Sequence, residues 1–353
     1  MNDFKEISTL RIYKSAEFAG ILQRTPEGCE LKFDSNFIEN PEIPSFSYCT
    51  PKIKSKIVFH GDNLPPFFAG LLPEGRRFNA LISKIKTSND DLFSILAAVG
   101  TDCIGDIYVE SHFRTIQKPP PKLEEVDFYS YFEELLDPQS TALDTKSLAG
   151  VQEKISASMI GFPLTIARDN KFYILKLNPA DKSNLIQNEF FCMHLAQKCG
   201  FMVAKVRIVS DKNQNSGLLV ERFDRINQKK LHQEDACQFL NHYPADKYRI
   251  TINQIADGLM QTTNAPQLEL LNLLKQYAFS YLMCNGDLHA KNISLQTLED
   301  GTITLTPLYD LICTAIYGDL KMALKIDGRD DNIKRKIFID FAERYKISAK
   351  AVN

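Results

Sequence analysis

Paired cysteines are missing from this chain. None of its eight cysteines (Cys29, Cys49, Cys103, Cys192, Cys199, Cys237, Cys284, Cys313) forms a CxxC pair, so neither a zinc site nor a disulfide framework is indicated, and reduced thiols in a cytosol are the simplest expectation. An excess of basic charge is also missing. The 42 Lys and Arg against 44 Asp and Glu give a formal net charge of -2, which excludes a general electrostatic footprint for nucleic acid. No apolar run approaches the ~20 residues that span a bilayer, and Met1-Asn2-Asp3-Phe4-Lys5-Glu6 carries no charged-then-apolar secretory pattern. A soluble, cytoplasmic protein with no membrane partner is expected. There is no internal repeat, no low-complexity tract, and neither a GxGxxG nor a Walker loop for phosphate. What remains is ordinary globular composition, 44% hydrophobic and 24% charged over 353 residues, enough for two domains or one domain with an appendage.

Against these absences stands Asn285-Gly286-Asp287-Leu288-His289-Ala290-Lys291-Asn292, followed eighteen residues after Asn292 by Asp310 in Leu308-Tyr309-Asp310. Phosphoryl transfer to a hydroxyl needs one short loop that presents a base to the incoming group and an amide oxygen to magnesium, an Asp five residues before an Asn. Asp287 and Asn292 have that spacing. A second carboxylate is needed across the nucleotide phosphates, where a bridging metal neutralises developing charge. Asp310 follows Thr302-Ile303-Thr304-Leu305-Thr306, whose alternation predicts a strand.

The three consecutive prolines of Gln117-Lys118-Pro119-Pro120-Pro121-Lys122 mark a boundary. It divides the chain into 1–116, a β-rich N-terminal part, and 117–225 and 226–353, a β-rich small lobe and a mainly helical large lobe. In the first part Thr9 to Tyr13 and Ile104 to Val109 read as strands and Arg76 to Lys86 as a helix. The segment from Leu64 to Gly75 is apolar but too rich in proline and glycine for one regular helix, and Phe67 and Phe68 in it suit a core or an interface equally. Val126 to Leu136 predicts a helix. A hairpin turning at Asp169-Asn170 joins Leu164–Ala167 to Phe172–Leu177, then comes a helix from Ser183 to Cys199, then strands over Val203–Ile208 and Leu218–Glu221. Leu268 to Cys284 reads as a buried helix delivering the Asp287 loop, and Lys334 to Tyr345 as the final helix.

Lys176, on an alternating strand, is the candidate cation for phosphates. Such lysines are mostly solvated, but Glu189, thirteen residues later on a helix, offers a partner that would orient its ammonium. Ser147-Leu148-Ala149-Gly150-Val151-Gln152-Glu153-Lys154 sits where a loop of backbone N–H groups would cover phosphates, although one glycine is also ordinary for a surface turn. Glu221-Arg222-Phe223-Asp224-Arg225 ends the last small-lobe strand and, taken alone, reads as a strand end capped by a surface ion pair. His289 reads as a residue that orients the loop. Lys291 is placed to stabilise charge on the transferred group or else to be a solvated lysine.

Taken in order, these segments resemble the HipA-like serine/threonine kinases of bacterial toxin–antitoxin systems. The likeness covers residues 65–74, Ser147 to Lys154, Asn188 to Cys192, Val220 to Arg225, Gln233 to Gln238, Gly286 to Asn292 and Thr306 to Asp310. It implies an α+β, protein-kinase-like two-lobed HipA fold and ATP with Mg2+ as cofactors. It further implies Asp287 as general base, assisted by His289 and Lys291, with Asn292 and Asp310 as metal ligands. Ala149, Gly150, Val151, Gln152, Lys154 and Lys176, the last oriented by Glu189, would lie on the phosphates, and Glu221, Phe223 and Tyr309 around the nucleotide. Ser147 becomes an autophosphorylation site, since a phosphoserine in a phosphate-binding loop repels nucleotide phosphates. A small helix-turn-helix antitoxin, through which DNA is met only indirectly, and a protein substrate such as an aminoacyl-tRNA synthetase are the implied partners. Only 43 residues follow Asp310, a shorter large lobe than in longer members.

Two other readings compete. Aminoglycoside and choline phosphotransferases use a similar Asp-Leu-His-x-x-Asn loop, but the Leu308-Tyr309-Asp310-Leu311 context and the matching N-terminal region argue against them. A non-catalytic co-repressor scaffold is disfavoured because every charged catalytic position is filled.

Overall fold

Alternation of apolar residues builds the N-terminal part. In β1 (Thr9–Lys14), β2 (Glu17–Thr25) and β3 (Gly28–Phe33) it turns Leu10, Ile12, Leu22, Leu31 and Phe33 to one buried face. With β4 (Ile57–His60) and β5 (Ile107–Glu110) these strands form a five-stranded antiparallel sheet in the order β4-β3-β2-β1-β5. Four helices accompany it: α1 (Ser35–Glu39), α2 (Pro66–Gly70), α3 (Gly75–Ile85) and α4 (Leu92–Val99). α4 is apolar but for Ser94, whose hydroxyl donates to the Phe4 carbonyl at 3.0 Å, and is buried throughout but for Leu92, so it forms the centre of this core. Phe67 and Phe68 are core residues, in ring contact with Phe46, rather than part of an interface. This computed structural model describes residues 4–54, 56–61, 64–111, 125–137, 160–166, 171–179, 182–226 and 229–352. The proline boundary, the Asp169-Asn170 turn and the loop from Ser147 to Lys154 lie outside them.

The small lobe follows the expected order of strand, strand, helix, strand, strand. β6 (Ile160–Ile166), β7 (Lys171–Leu177), β8 (Val206–Ser210) and β9 (Ser216–Glu221) form an antiparallel sheet, β6-β7-β9-β8. Helix α5 (Phe128–Leu136) covers one face, where Phe128 and Phe132 meet Tyr173, Leu175 and Leu177. Helix α6 (Leu185–Lys198) covers the other, against Leu218 and Val220. Because side chains alternate along β7, Lys176 shares the α6 side with Ile174. The third strand starts later than expected. Val203 is drawn instead into a parallel bridge with Leu308, and the Ala204 N–H donates to the Leu308 carbonyl at 2.8 Å, joining the small lobe to the segment before Asp310.

The large lobe contains α7 (Ala236–Phe239), α8 (Ile252–Thr262), α9 (Pro266–Leu282), α10 (Arg335–Arg344) and α11 (Ala349–Val352). Capping boxes start α7 at Asp235 and α8 at Thr251. The lobe is less purely helical than the sequence pattern suggests, and α10 is followed by one more turn of helix. A hairpin of β10 (Arg225–Ile226) and β11 (Lys229–Lys230) leads into a three-stranded sheet of β12 (Gln233–Asp235), β13 (Ser294–Thr297) and β14 (Ile303–Leu305). No described helix is long and apolar enough to cross a membrane.

Buried charges tie the N-terminal part to the rest. The Arg222-Phe223-Asp224-Arg225 segment is not a surface ion pair: Asp224 accepts from Arg222 Nη2 at 2.8 Å and from Arg225 Nη1 at 2.6 Å, while Arg225 Nη2 reaches Asp102 at 3.1 Å. Burial would raise the Asp224 pKa, but Arg222 and Arg225 hold it down at about 2. In a second chain, buried His232 lies between Asp106 (2.9 Å) and Glu234 (2.8 Å), and Lys14 bonds Asp106 from β1. The two carboxylates raise the His232 pKa against the effects of burial and Lys14.

Candidate active site

The site begins with a buried acid in an apolar stripe. Leu185, Ile186, Cys192, Met193 and Ala196 line the inner side of α6, and Glu189 lies among them with no exposed surface. A carboxylate in such a place requires a cation. Lys176 supplies it from β7, with Nζ at 2.7 and 2.9 Å from the two Glu189 oxygens. The same ammonium lies 2.8 Å from Asp310 Oδ1. Lys176 therefore spans small-lobe strand, small-lobe helix and large-lobe segment; the sequence offered Glu189 as its partner but not Asp310.

One ammonium does not balance two carboxylates, Glu189 fully buried and Asp310 partly so. Burial pushes Glu189 up to about 7 in spite of Lys176, whereas Asp310 is held below its ordinary range because Lys176 outweighs burial there. Lys176 itself is raised by Asp310 and Glu189, against its burial. Asp310 adopts φ +57, a left-handed conformation that aspartate tolerates better than most residues.

The second half of the site is the turn after α9. Cys284 at φ +58 ends the helix, and the Asn285 N–H donates to the Ser280 carbonyl at 2.8 Å. Gly286 then packs so closely that a Cβ would lie 2.5 Å from the Lys321 carbonyl oxygen, and its N–H donates to Thr314 Oγ1 at 2.8 Å. Asp287 follows, buried. The His289 N–H donates to the Asp287 carbonyl at 2.8 Å, and Ala290 to Asn292 form a single 3-10 turn. Asn292 Nδ2 donates to that same carbonyl at 3.1 Å. Asp287 and Asn292 are thus fixed by one shared backbone oxygen, with Asn292 Oδ1 as the amide atom left for a cation.

Tyr309 joins the two halves. Its hydroxyl donates to the Lys291 carbonyl at 2.7 Å and lies 2.6 Å from Ser294 Oγ, while its ring meets Phe223 at 5.6 Å between centroids. Glu221, at the end of β9, pairs with Lys171 at 3.0 Å, and its N–H is used by the Lys205 carbonyl at 2.8 Å. The N–H of Arg222 is likewise used, by the Phe172 carbonyl at 2.9 Å. These two donors serve the sheet and are not available to a base.

His289 lies in the interior of the same turn. It is buried, its ring stands edge-on to Tyr248 at 5.3 Å, and Nδ1 has no hydrogen-bond partner among the described residues. Burial, reinforced by Lys247, pushes its pKa down to about 3, so the ring is neutral. Lys291 departs from expectation. Its ammonium is 3.2 Å from each of Glu74 Oε1, Asp235 Oδ2 and the Gly70 carbonyl, so it is committed to neighbouring segments rather than presented to a transferred group.

Tyr248 was not singled out by the sequence. Its hydroxyl lies 3.5 Å from Asp287 Oδ1, and burial, then Asp287 and Glu74, raise its pKa. Glu74, Asp235 and Lys247 were missed as site residues too. Ser147, Ala149, Gly150, Val151, Gln152 and Lys154 lie outside the described residues.

Comparisons with known proteins agree with this architecture. Residues 10–110 match the HipA N-terminal domain and residues 146–353 the HipA-like C-terminal domain. The Y4mE protein of Sinorhizobium fredii is 32% identical over 292 residues, covering 75% of this chain and 68% of that protein. The serine/threonine-protein kinase toxin HipA of Shewanella oneidensis is 29% identical over 298 residues, covering 75% and 67%. A solved complex of Shewanella oneidensis HipA, HipB and operator DNA superposes with a TM-score of 0.77 at 21% identity, covering 97% of this chain and 86% of that one, which shows the fold. With both domain families matched in order along most of its length, this chain belongs to the HipA-like family.

Proposed function

We propose that this protein is an ATP- and magnesium-dependent serine/threonine-protein kinase that acts as the toxin of a toxin–antitoxin pair. The observation that carries the reading is the Lys176 ammonium held between Glu189 and Asp310, in one site with a loop in which Asp287 and Asn292 share a backbone oxygen. Two features suit a cation carried on nucleotide phosphates. Asn292 Oδ1 accepts no hydrogen bond among the described residues while its Nδ2 is fixed, and the two carboxylates around one ammonium leave an excess of negative charge. Asn292 and Asp310 would hold magnesium, which when bound neutralises charge on the phosphates. Lys176 steadies a phosphate oxygen, and Asp287 accepts the proton of the attacking hydroxyl. Neutral His289 and Tyr248 hold the loop and screen it from water.

The name of the Shewanella relative supports serine or threonine as acceptor and a toxin's role, and the solved complex of HipA with HipB and operator DNA supports a HipB-like partner, which we take to be the small helix-turn-helix antitoxin through which DNA is met. A translation component, such as an aminoacyl-tRNA synthetase, is the proposed substrate class, with Ser147 as the site of self-phosphorylation. The test is transfer from γ-labelled ATP to a bacterial lysate and to a panel of aminoglycosides. Label on protein serine or threonine, including Ser147 by peptide mapping and lost there in Ser147→Ala, is expected. Label on the aminoglycosides alone, or on no acceptor, would overturn the reading.

A further inference from the structure

The catalytic turn is anchored from a distance by a residue of the N-terminal part. Glu74, at the start of α3, reaches two buried lysines at once: Oε2 is 2.7 Å from Lys247 Nζ and Oε1 is 3.2 Å from Lys291 Nζ. Both lysines belong to the scaffold of the site. Lys291 lies within the Ala290 to Asn292 turn, and the Lys247 carbonyl accepts the Ala290 N–H at 3.0 Å. The residues before Glu74 dock on the same place. The Gly70 carbonyl lies 3.2 Å from Lys291 Nζ, and Gln238 Nε2 donates to the Phe67 carbonyl at 2.9 Å. A Cβ at Gly70 would lie 2.6 Å from the Gln238 side chain, so this approach requires glycine.

We infer that Glu74 is a positioning residue of the phosphoryl-transfer site, and that the N-terminal part completes the active site by compensating the two lysines that flank Asp287 and Asn292. The inference rests on the kinase reading above. Its physical basis is charge balance: Lys247 and Lys291 together face Glu74 and Asp235. With Glu74 neutralised, Lys247 has no facing carboxylate within ion-pair distance among the described residues, only the face of its neighbouring Tyr248 ring, 5.5 Å away, and its field falls on the site. An ammonium turned towards Asp287 and Asp310 competes with the metal and with the proton that Asp287 must accept.

The test compares wild type, Glu74→Gln, Glu74→Asp and the double variant Glu74→Gln/Lys247→Met in the full chain. Phosphoryl transfer and amide hydrogen exchange of residues 286–292 without nucleotide are both measured. Glu74→Gln is expected to lower kcat by ~100-fold, the scale of a small misplacement of reacting groups, with KM for ATP within about threefold of wild type. Exchange in 286–292 rises, while the main thermal transition is retained. Glu74→Asp recovers part of kcat by restoring charge, and the double variant recovers part by removing the uncompensated ammonium. Unchanged exchange in Glu74→Gln, or kcat within twofold of an active wild type, would overturn the inference. A wild type that transfers no phosphate would instead sink the kinase reading, while the exchange measurement still decides whether Glu74 holds the turn.

Discussion

Replacing Lys176 by methionine removes one ammonium and leaves the fully buried Glu189 facing the partly buried Asp310. The lost contacts are those at 2.7 and 2.9 Å to Glu189 and at 2.8 Å to Asp310. Removing one partner of a buried ion pair costs ~3 to 5 kcal/mol, because the charge left behind is uncompensated. Here the protein has a way to reduce that cost. Glu189 already titrates at about 7 in the wild type, and in the variant a proton shared by the two acids relieves their repulsion. The folded-state pKa of that carboxyl then lies above its unfolded value of ~4.3. The folded state therefore binds more protons across the interval, and stability falls as pH rises through it. Urea unfolding of wild type and Lys176→Met at pH 5 and pH 8 measures the effect. Because wild-type Glu189 is itself protonated below about 7, the two proteins part only above that pH, so the expected loss is ~3 to 5 kcal/mol at pH 8 and smaller by ~1 kcal/mol at pH 5. An equal loss at both values, or one under ~1 kcal/mol at pH 8, would refute the charge-sharing argument.

His289 gives the opposite pH sign. Its pKa of about 3 in the folded protein lies below the unfolded ~6.5, so the unfolded chain binds more protons between these values and stability declines as pH falls through them. His289→Gln should remove ~2 kcal/mol of the stability lost between pH 7 and pH 5, and an unchanged acid limb in chemical denaturation would contradict this. Asp224→Ala strands two guanidinium groups that now lie within 2.8 Å of Asp224. It should cost ~3 to 5 kcal/mol in urea unfolding, whereas a surface ion pair would cost under ~1 kcal/mol.

What the sequence revealed was mostly local. Asp287 and Asn292 stand five residues apart in one turn, and the hydrogen bond that joins them stays within that turn. Lys176 and Glu189 were legible as a strand followed by a helix whose inner stripe contains an acid. The Glu74 contact to Lys247 spans 173 residues, and no periodicity or spacing reports such a meeting. Arg222 and Asp224 showed the same limit. Their neighbouring charges suggested a surface pair, and only the approach of Asp102 and the Cys103 carbonyl from the N-terminal part makes them interior. Lys291 was misread for that reason as well, since its acidic partners come from α3 and from the start of α7. The late start of β8 has a similar origin, because Val203 is claimed by Leu308 from the other lobe.

The most direct test of the central claim is single-turnover transfer from magnesium ATP by wild type and by Asp287→Asn, with thermal unfolding of both recorded. The account predicts at least a ~1,000-fold loss of rate, roughly 4 kcal/mol of barrier, with the unfolding transition retained. Equal rates in the two proteins would show that Asp287 is not the acceptor of the proton and would contradict the account.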